Sequence, residues 1–411
     1  MNKFNCDIAI IGAGSAGIMS AIVSSQKGKK VILIEKNNKI GKKFLLTGNG
    51  KCNLTNAEFN LRELVKNYNN GEFLFNAFSV FGPKETIDFF EKIGIKTVIK
   101  ENKRVFPESD SSQKVLEILE NHLKTNNVDI FLNENVLEIE VKNIKIKKVI
   151  LENKEVIAKK YIFCTGGKSF PSTGSDGSGY KLVKKIGHTI VDLEPALCPI
   201  KIKEKWIKKL QGISFKDKNI NVFLNNKKKF FEKGEFLFTH FGVSGPAILN
   251  ISGRVGDLIK KGEVKISFDF FPLLSEKQVS DLLEQNFKKY PSKIVKNILS
   301  DFLPERFIEA LLDVANVDKT KIVNSLLKNE RKEIVRLFKN FKVTPESVFD
   351  FNSAMVTKGG VSLKEIYHKT MKSKLIENLY FAGEIIDIDG KTGGFNLQFC
   401  WSTGYLAGKF S

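Results

Sequence analysis

Short apolar runs that end in glycine or an acid mark both ends of this chain, while its middle follows other rhythms. Cys6 to Ile11 is apolar apart from Asp7, the signature of a buried parallel strand. It leads into Gly12-Ala13-Gly14-Ser15-Ala16-Gly17, then a helical stretch from Ile18 to Val23, then a second run, Val31 to Ile34, ending in Glu35. Tyr161 to Cys164 and Leu379 to Phe381 are two more strand-like runs, followed by Thr165-Gly166-Gly167 and Gly383-Glu384. A last helix is expected from Asn396 to Gly408. Between these ends the runs Leu197 to Ile202, Ile220 to Leu224 and Glu235 to Phe238 read as β-strands. From 276 to 340, Val279, Leu282, Leu283 and Phe287 recur at helical spacing, and Pro291, Pro304 and Pro345 punctuate the segment. The pattern predicts an α/β Rossmann-like nucleotide-binding domain from 1–192 and 354–411. Into it is set a β domain (193–274 and 340–353) with a helical domain (275–339) nested inside.

The strand, Gly-rich turn, helix, strand and acid have a specific physical reading. Gly12 permits the tight turn, Gly14 lets backbone approach a pyrophosphate, and Gly17 lets helix pack on sheet. The helix N-terminus, with Ser15 and Ala16, faces the phosphate charge, and Glu35 accepts from a ribose hydroxyl. Glu35 argues against a 2′-phosphate there. The next segment, Lys36 and then Gly41 to Asn56 (GKKFLLTGNGKCNLTN), is dense in Gly, Asn, Thr and Lys. Its donors suit a phosphate and a polar ring edge, which favours a flavin held along its whole length over a nicotinamide.

That loop resembles the GRKxxxSGGGRCNxTN loop of the bacterial YhiN/BaiN-type flavoproteins, in the glutathione-reductase-like FAD superfamily. Cys164 to Gly174 (CTGGKSFPSTG), Phe238 to Pro246 (FTHFGVSGP) and Phe381 to Gln398 (FAGEIIDIDGKTGGFNLQ) resemble that family's other motifs in order. The resemblance implies an FAD site built from Gly12, Gly14, Ser15, Ala16, Gly17, Glu35, Lys36, Lys42, Lys43, Thr47, Gly48, Gly50, Cys52 and Asn53. Val136, Thr165, Gly166, Gly167, Gly383, Glu384, Asp387, Gly393, Gly394, Asn396 and Leu397 complete it. The final helix would aim its N-terminus at the flavin pyrimidine and favour the anionic reduced form by about 0.3–1 kcal/mol. Departures are small: Asn49 for a Gly, Lys42 and Lys51 for Arg, Phe395 for Tyr, and Cys400 where Ala or Trp is usual.

Charge changes the picture. The chain of 411 residues carries 66 basic and 46 acidic side chains, a formal +20, and only six of the basic residues are Arg. Residues 201–233 alone hold 11 Lys against three acids. Lys201, Lys203, Lys205, Lys208, Lys209, Lys227, Lys228 and Lys229, with Trp206 among them, fit a phosphate-tracking surface. A solvated Lys-rich β surface fits equally well. The 42% apolar content suffices for a sizeable core, and no apolar run is long enough to span a membrane. Five scattered Cys with no CxxC or CxxH pair argue against a zinc site and exclude disulfide-reductase chemistry. With no signal-peptide pattern at the N-terminus, they point to a reducing cytoplasm. No metal is expected.

No second GxGxxG marks a nicotinamide domain, so NAD(P)H as a transient electron donor, or another donor, is the expectation. Similar family members reduce a carbonyl-conjugated C=C bond in steroid-like bile-acid intermediates or in uridine of large-subunit (23S) rRNA. The resemblance implies hydride transfer from flavin N5 to the β carbon, a donor on the enolate oxygen, and an acid for the α carbon. Cys52, tuned by Lys51, and His240 are the candidate acids, though either residue also reads as a packing or loop residue. Three functions stand open: an rRNA dihydrouridine synthase acting on rRNA or a ribosome-assembly intermediate, a small-molecule ene-reductase or amine oxidase, and a flavin-containing RNA-binding assembly factor.

Overall fold

A computed structural model describes residues 2–411, in two compact units: the chain up to Ala196 with Phe351–Ser411, and Leu197–Asp350. In chain order the elements used below are β1 (Asn2–Ile11), α1 (Ser15–Gln26), β2 (Val31–Ile34), β3 (Asp129–Phe131), β4 (Lys154–Phe163) and β5 (Ile190–Ala196). The second unit adds β6 (Ser214–Leu224), β7 (Lys227–Phe238), α2 (Pro246–Ile259), β8 (Val264–Asp269) and β9 (Phe341–Val343). The chain returns through β10 (Val356–Val361), β11 (Leu379–Phe381) and α3 (Phe395–Phe410).

In the first unit β3, β2, β1, β4 and β11 lie side by side, all parallel. This is the Rossmann arrangement that the apolar rhythm predicts. β2 is buried at all four positions, as a strand covered on both faces must be. β1 starts earlier than its apolar run because its polar first residues still pair with β4, from Asn2 opposite Lys154 to Ile11 opposite Phe163. The last helix crosses α1 at close range. A Cβ on Gly404 would lie 2.5 Å from the Ala16 carbonyl oxygen, and Ser20 Oγ donates to the Gly404 carbonyl at 2.9 Å. Only glycine at 404 allows this approach, and it draws the C-terminal segment onto the helix that follows the Gly-rich turn.

The second unit is built on an antiparallel sheet in which β9, β8, β6 and β7 are successive neighbours. Its apolar core includes both sheet and helical residues. Phe307, in the helix Glu305–Ala315, sits 5.2 Å from Phe215, 4.6 Å from Phe270 and 5.1 Å from Phe341. The helix expected from Val279 to Phe287 forms as Glu276–Lys289 and buries Val279, Leu283 and Phe287. Sheet and helices thus share one core rather than nesting as two. Residues 193–196, expected in the insertion, belong to β5, which pairs antiparallel with β10 inside the first unit. No helix among the described residues is long and apolar enough to cross a membrane.

Candidate functional site

The Gly-rich turn sits where β1 ends and α1 begins. Gly12 has φ +99°, and a Cβ there would lie 2.4 Å from the Cys164 carbonyl oxygen. At Gly17 a Cβ would strike the Gly12 carbonyl oxygen at 1.9 Å. Gly14 differs: it caps α1 with φ −81°, and a Cβ would meet nothing within 4 Å. Two glycines therefore shape the turn, and the third faces open space at a helix N-terminus. Ser15 and Ala16 are buried in the first turn of that helix. Glu35, nearly buried at the end of β2, accepts from the Ala13 N–H at 2.9 Å and the Asn37 N–H at 2.9 Å. These bonds fix its carboxylate beside the turn. The Glu134 N–H donates to the Glu35 carbonyl at 3.0 Å, which runs the segment leading to buried Val136 along the same edge.

The loop from Gly41 to Asn56 is irregular by construction. Gly48 (φ +58°), Asn49 (φ +55°), Gly50 (φ +84°) and Cys52 (φ +62°) are all left-handed, and 48–50 form an exposed tip. Thr47 Oγ1 donates to the Phe44 carbonyl at 2.7 Å, and the Cys52 N–H donates to the Thr47 carbonyl at 3.0 Å. Beyond the tip, the Asn53 amide donates to the Thr55 and Val105 carbonyls at 3.0 and 3.1 Å and accepts from the Gly394 N–H at 3.0 Å. Asn56 Nδ2 donates to the Gly393 carbonyl at 3.0 Å, Trp401 Nε1 to the Leu54 carbonyl at 3.0 Å, and Thr55 Oγ1 to Gln398 Oε1. Gly393 and Gly394 have φ +116° and +100°, and a Cβ on Gly394 would lie 2.3 Å from the Thr55 carbonyl. These contacts stitch the early loop to the N-terminus of α3, where Asn396 holds the Gly390 and Lys391 carbonyls at 2.8 and 3.1 Å. Leu397, half-buried, lies in the same first turn. Gly383 closes the arc, with its missing Cβ 2.7 Å from that of Ala16.

Beside this arc lies a charged cluster. Glu384 accepts from Lys43 Nζ at 2.7 Å, Ser169 Oγ at 3.0 Å and the Thr357 N–H at 2.8 Å. A Cβ on Gly167 would meet Thr357 Oγ1 at 2.4 Å. Lys36 is occupied likewise, by Asp176 at 2.8 Å, while Lys42 is half-buried. Thr165 Oγ1 is buried with no partner, and Gly166 next to it is left-handed. Asn70 Nδ2 donates to the Asp387 carbonyl at 3.0 Å and to its carboxylate at 3.3 Å, and burial raises the Asp387 carboxyl above its ordinary value. The Asp389 carboxyl is pushed up to about 6 by burial, against the opposing pull of Lys358 and a bond from Asn69, and its Oδ1 has no partner. Thr357 lies outside the sequence motifs, and Asp389 lies within one without having been singled out. Ser169 and Gln398 do lie within the motifs, as unremarked members.

The two expected acids fare differently. Cys52 is wholly enclosed, and burial pushes its thiol up to about 12, opposed by a side-chain hydrogen bond with Thr47. Lys51, exposed, takes no part in this, so the expected tuning by Lys51 is replaced by desolvation. His240 is exposed in the turn after β7, edge-on to Phe241 at 4.9 Å. Of the expected RNA-facing lysines, all eight are exposed, but Lys201 pairs with Glu346 at 3.2 Å and Lys209 lies 3.9 Å from Asp313. Trp206 packs edge-on against Phe341 at 5.5 Å, as part of the core rather than as a stacking platform.

The family model described as the HI0933-like protein Rossmann domain matches residues 6–410. The chain belongs to the HI0933-like family. A 3-dehydro-bile acid delta(4,6)-reductase of Clostridium scindens is 33% identical to this HI0933-like protein over 98% of both chains. A ribosomal RNA dihydrouridine synthase of Escherichia coli is 29% identical over 100% of this chain and 98% of its own. In fold, the HI0933-like chain is similar to a 3-ketosteroid-delta4-(5alpha)-dehydrogenase of Rhodococcus jostii, with a TM-score of 0.54, 12% identity and coverage of 100% and 97%. A flavocytochrome c3 fumarate reductase matches with a TM-score of 0.52 at 16% identity, over 98% of this chain and 78% of its own. Family and relatives make this an FAD-dependent oxidoreductase. The residues present fit that cofactor: open space at Gly14, an anion-attracting helix N-terminus, and an acid fixed at the end of β2.

Proposed function

We propose that this protein reduces the carbonyl-conjugated C=C bond of uridine in large-subunit (23S) rRNA, giving dihydrouridine. The observation that carries the reading is the whole-length similarity to the E. coli dihydrouridine synthase and to a second, from Haemophilus influenzae, at 29% identity. The lysine-rich unit Leu197–Asp350 supports it, with Lys203, Lys205, Lys208 and Lys227–Lys229 exposed. FAD, when bound, supplies the hydride. The chain's own residues orient and exclude water. The Gly14 turn and α1 would hold the pyrophosphate, Glu35 a ribose, and Asp387, half-buried and steadied by Asn70, the ribityl hydroxyls. Gly393 and Gly394 leave the N-terminus of α3 uncapped by any side chain, and its dipole would favour negative charge on a flavin ring bound there. Cys52 remains a thiol across the physiological range and keeps its proton at Sγ. His240 is the solvent-facing alternative acid. NAD(P)H is the proposed transient electron donor, visible as anaerobic bleaching of the yellow protein by NADH or NADPH. Dihydrouridine mapping of rRNA from cells lacking the gene tests the substrate: one position loses its modification, and an unchanged profile overturns the reading.

A small-molecule ene-reductase is the second reading, favoured by the higher identity to the bile-acid reductase. A surface cleft of about 930 Å³ at Asn70, lined by Tyr68, Phe73, Phe75 and Leu363 together with the charged Arg62, Lys66 and Glu72, offers room for such a substrate. Turnover of a conjugated steroid enone with retained rRNA modification in the deletion strain would select it.

A further inference from the structure

The outward face of the sheet in Leu197–Asp350 carries a pattern that core packing does not explain. β6 and β7 pair with Asn219 opposite Lys233, Asn221 opposite Phe231, and Phe223 opposite Lys228. On the other side of β6, Asn221 faces Ser267 of β8, which in turn faces Lys342 of β9. The intervening residues Ile220, Val222, Ile266 and Phe268 are buried in the core, so the side chains at 219, 221, 223, 231 and 342 lie on the other side of the sheet, where Ser267 is covered and bonded to Asn340, 219, 221 and 223 are half-buried, and 231 and 342 are exposed. Phe231 is 58% exposed, unusual for a ring in the middle of a strand. Each outward ring has an ammonium beside it: Lys228 Nζ is 5.3 Å from the Phe231 centroid and Lys342 Nζ is 5.3 Å from that of Phe223. Lys228, Lys229, Lys233 and Lys342 have no carboxylate partner among the described residues. Of the acids near this face, Asp269 is held by Lys339 at 2.8 Å and Glu263 by Lys265, opposite Phe223, at 2.9 Å, while Glu235, four residues beyond Phe231 on β7, is exposed.

Lysines along a partly unpaired strand guard against edge-to-edge association, and that would account for Lys227–Lys229 and Lys233. It does not account for an exposed Phe231 and a half-buried Phe223 with half-buried amide side chains between them. Flat rings for stacking, ammonium groups one phosphate's reach away, and Asn amides for base edges are what an unpaired nucleic-acid strand requires. The rings are separated by polar side chains, so no continuous apolar patch invites a folded protein.

We propose that this sheet face, centred on Phe231 and Phe223, is a stacking platform for single-stranded RNA flanking the reduced uridine. The inference rests on the RNA reading above and assigns its binding surface to residues other than the 201–209 segment. The test uses the full-length yellow protein and a fluorescent oligouridylate of about 12 nucleotides. Phe231→Ala and Phe223→Ala should each weaken binding roughly 5- to 150-fold. Phe231→Tyr should restore it, and flavin absorbance and thermal midpoint should stay at wild-type values. Lys233→Ala and Lys342→Ala should each lower the log–log salt slope by about 0.7. Wild-type binding that survives Phe231→Ala with Phe223→Ala overturns the platform while leaving the RNA reading intact, as does equal competition by polyglutamate. A wild-type protein that ignores the oligouridylate, with unchanged rRNA in the deletion strain, overturns both.

Discussion

Gly14 is the one glycine of the phosphate turn whose side of the backbone is vacant, and that makes it a clean probe. Its φ of −81° suits any residue, and a Cβ touches nothing. Gly14→Val should therefore fold with a wild-type thermal midpoint yet purify colourless, because only the ligand's space is filled. Gly17→Val, whose Cβ lands 1.9 Å from a carbonyl oxygen, should not accumulate as folded protein. A yellow Gly14→Val protein would sink the pyrophosphate assignment. Asp389 yields a pH prediction. Its folded value of about 6 exceeds the ordinary 3.8, so the folded chain holds the proton more tightly than the unfolded one. Stability from the neutral form is complete below about pH 4 and is lost as pH rises to about 6. Ionisation then costs roughly 2–3 kcal/mol. Asp389→Asn cannot ionise, so its thermal midpoint should match wild type near pH 4 and exceed it at pH 8. A gap independent of pH would refute the assignment. The groups facing Asp389 are Lys358, Asn69, Asp387 and Glu384; the last two share its motif, but Lys358 and Asn69 were not visible as its neighbours from the sequence. Turn glycines announce themselves because their conformation restricts residue type locally. The value of a buried carboxyl depends on enclosure and on partners such as Asn69 that only the fold brings to it.

Among the elements, the join between the Gly41–Asn56 loop and α3 decides whether the cradle holds its shape. Sequence motifs marked both partners but not that they touch, since Asn53, Thr55 and Gln398 are ordinary polar residues until brought together. Trp401→Phe removes the indole donor from the buried Leu54 carbonyl while keeping most of the ring. The expected loss is about 1–3 kcal/mol, read by denaturant unfolding, because the carbonyl is left without a partner. Gly394→Ala should do more: it forces a methyl to 2.3 Å from the Thr55 carbonyl and strains a left-handed position. Its signature is weakened flavin retention on dialysis, in excess of any drop in thermal midpoint. The strands themselves were legible from apolar rhythm, and their ends were not. β1 and β7 extend past their apolar runs because polar residues at strand ends still complete backbone ladders.

For the whole molecule, the two cores make the inserted unit a separable module. It departs and returns through β5 and β10, an antiparallel pair in which Ala196 lies opposite Val356. The two cut points thus sit side by side. A chain in which a short Gly/Ser linker replaces Leu197–Asp350 should remain yellow and lose affinity for the oligouridylate. A colourless product would show that the cradle depends on the insertion. The insertion itself was evident from the sequence because both ends carried nucleotide-binding motifs. That its helices and sheet share one core was not, since Phe215, Phe270, Phe307 and Phe341 converge only in three dimensions.

The arc that joins Gly12–Gly17 to Gly393–Gly394 also sets a schedule. The two halves of the cradle are made at opposite ends of translation, on the order of 20–80 s apart at ordinary elongation rates. A nascent chain cannot capture its cofactor during that interval, although the inserted unit, complete by Asp350, is free to fold first. Flavin shortage should therefore act after synthesis rather than during it, leaving finished apoprotein that regains its colour when the vitamin returns.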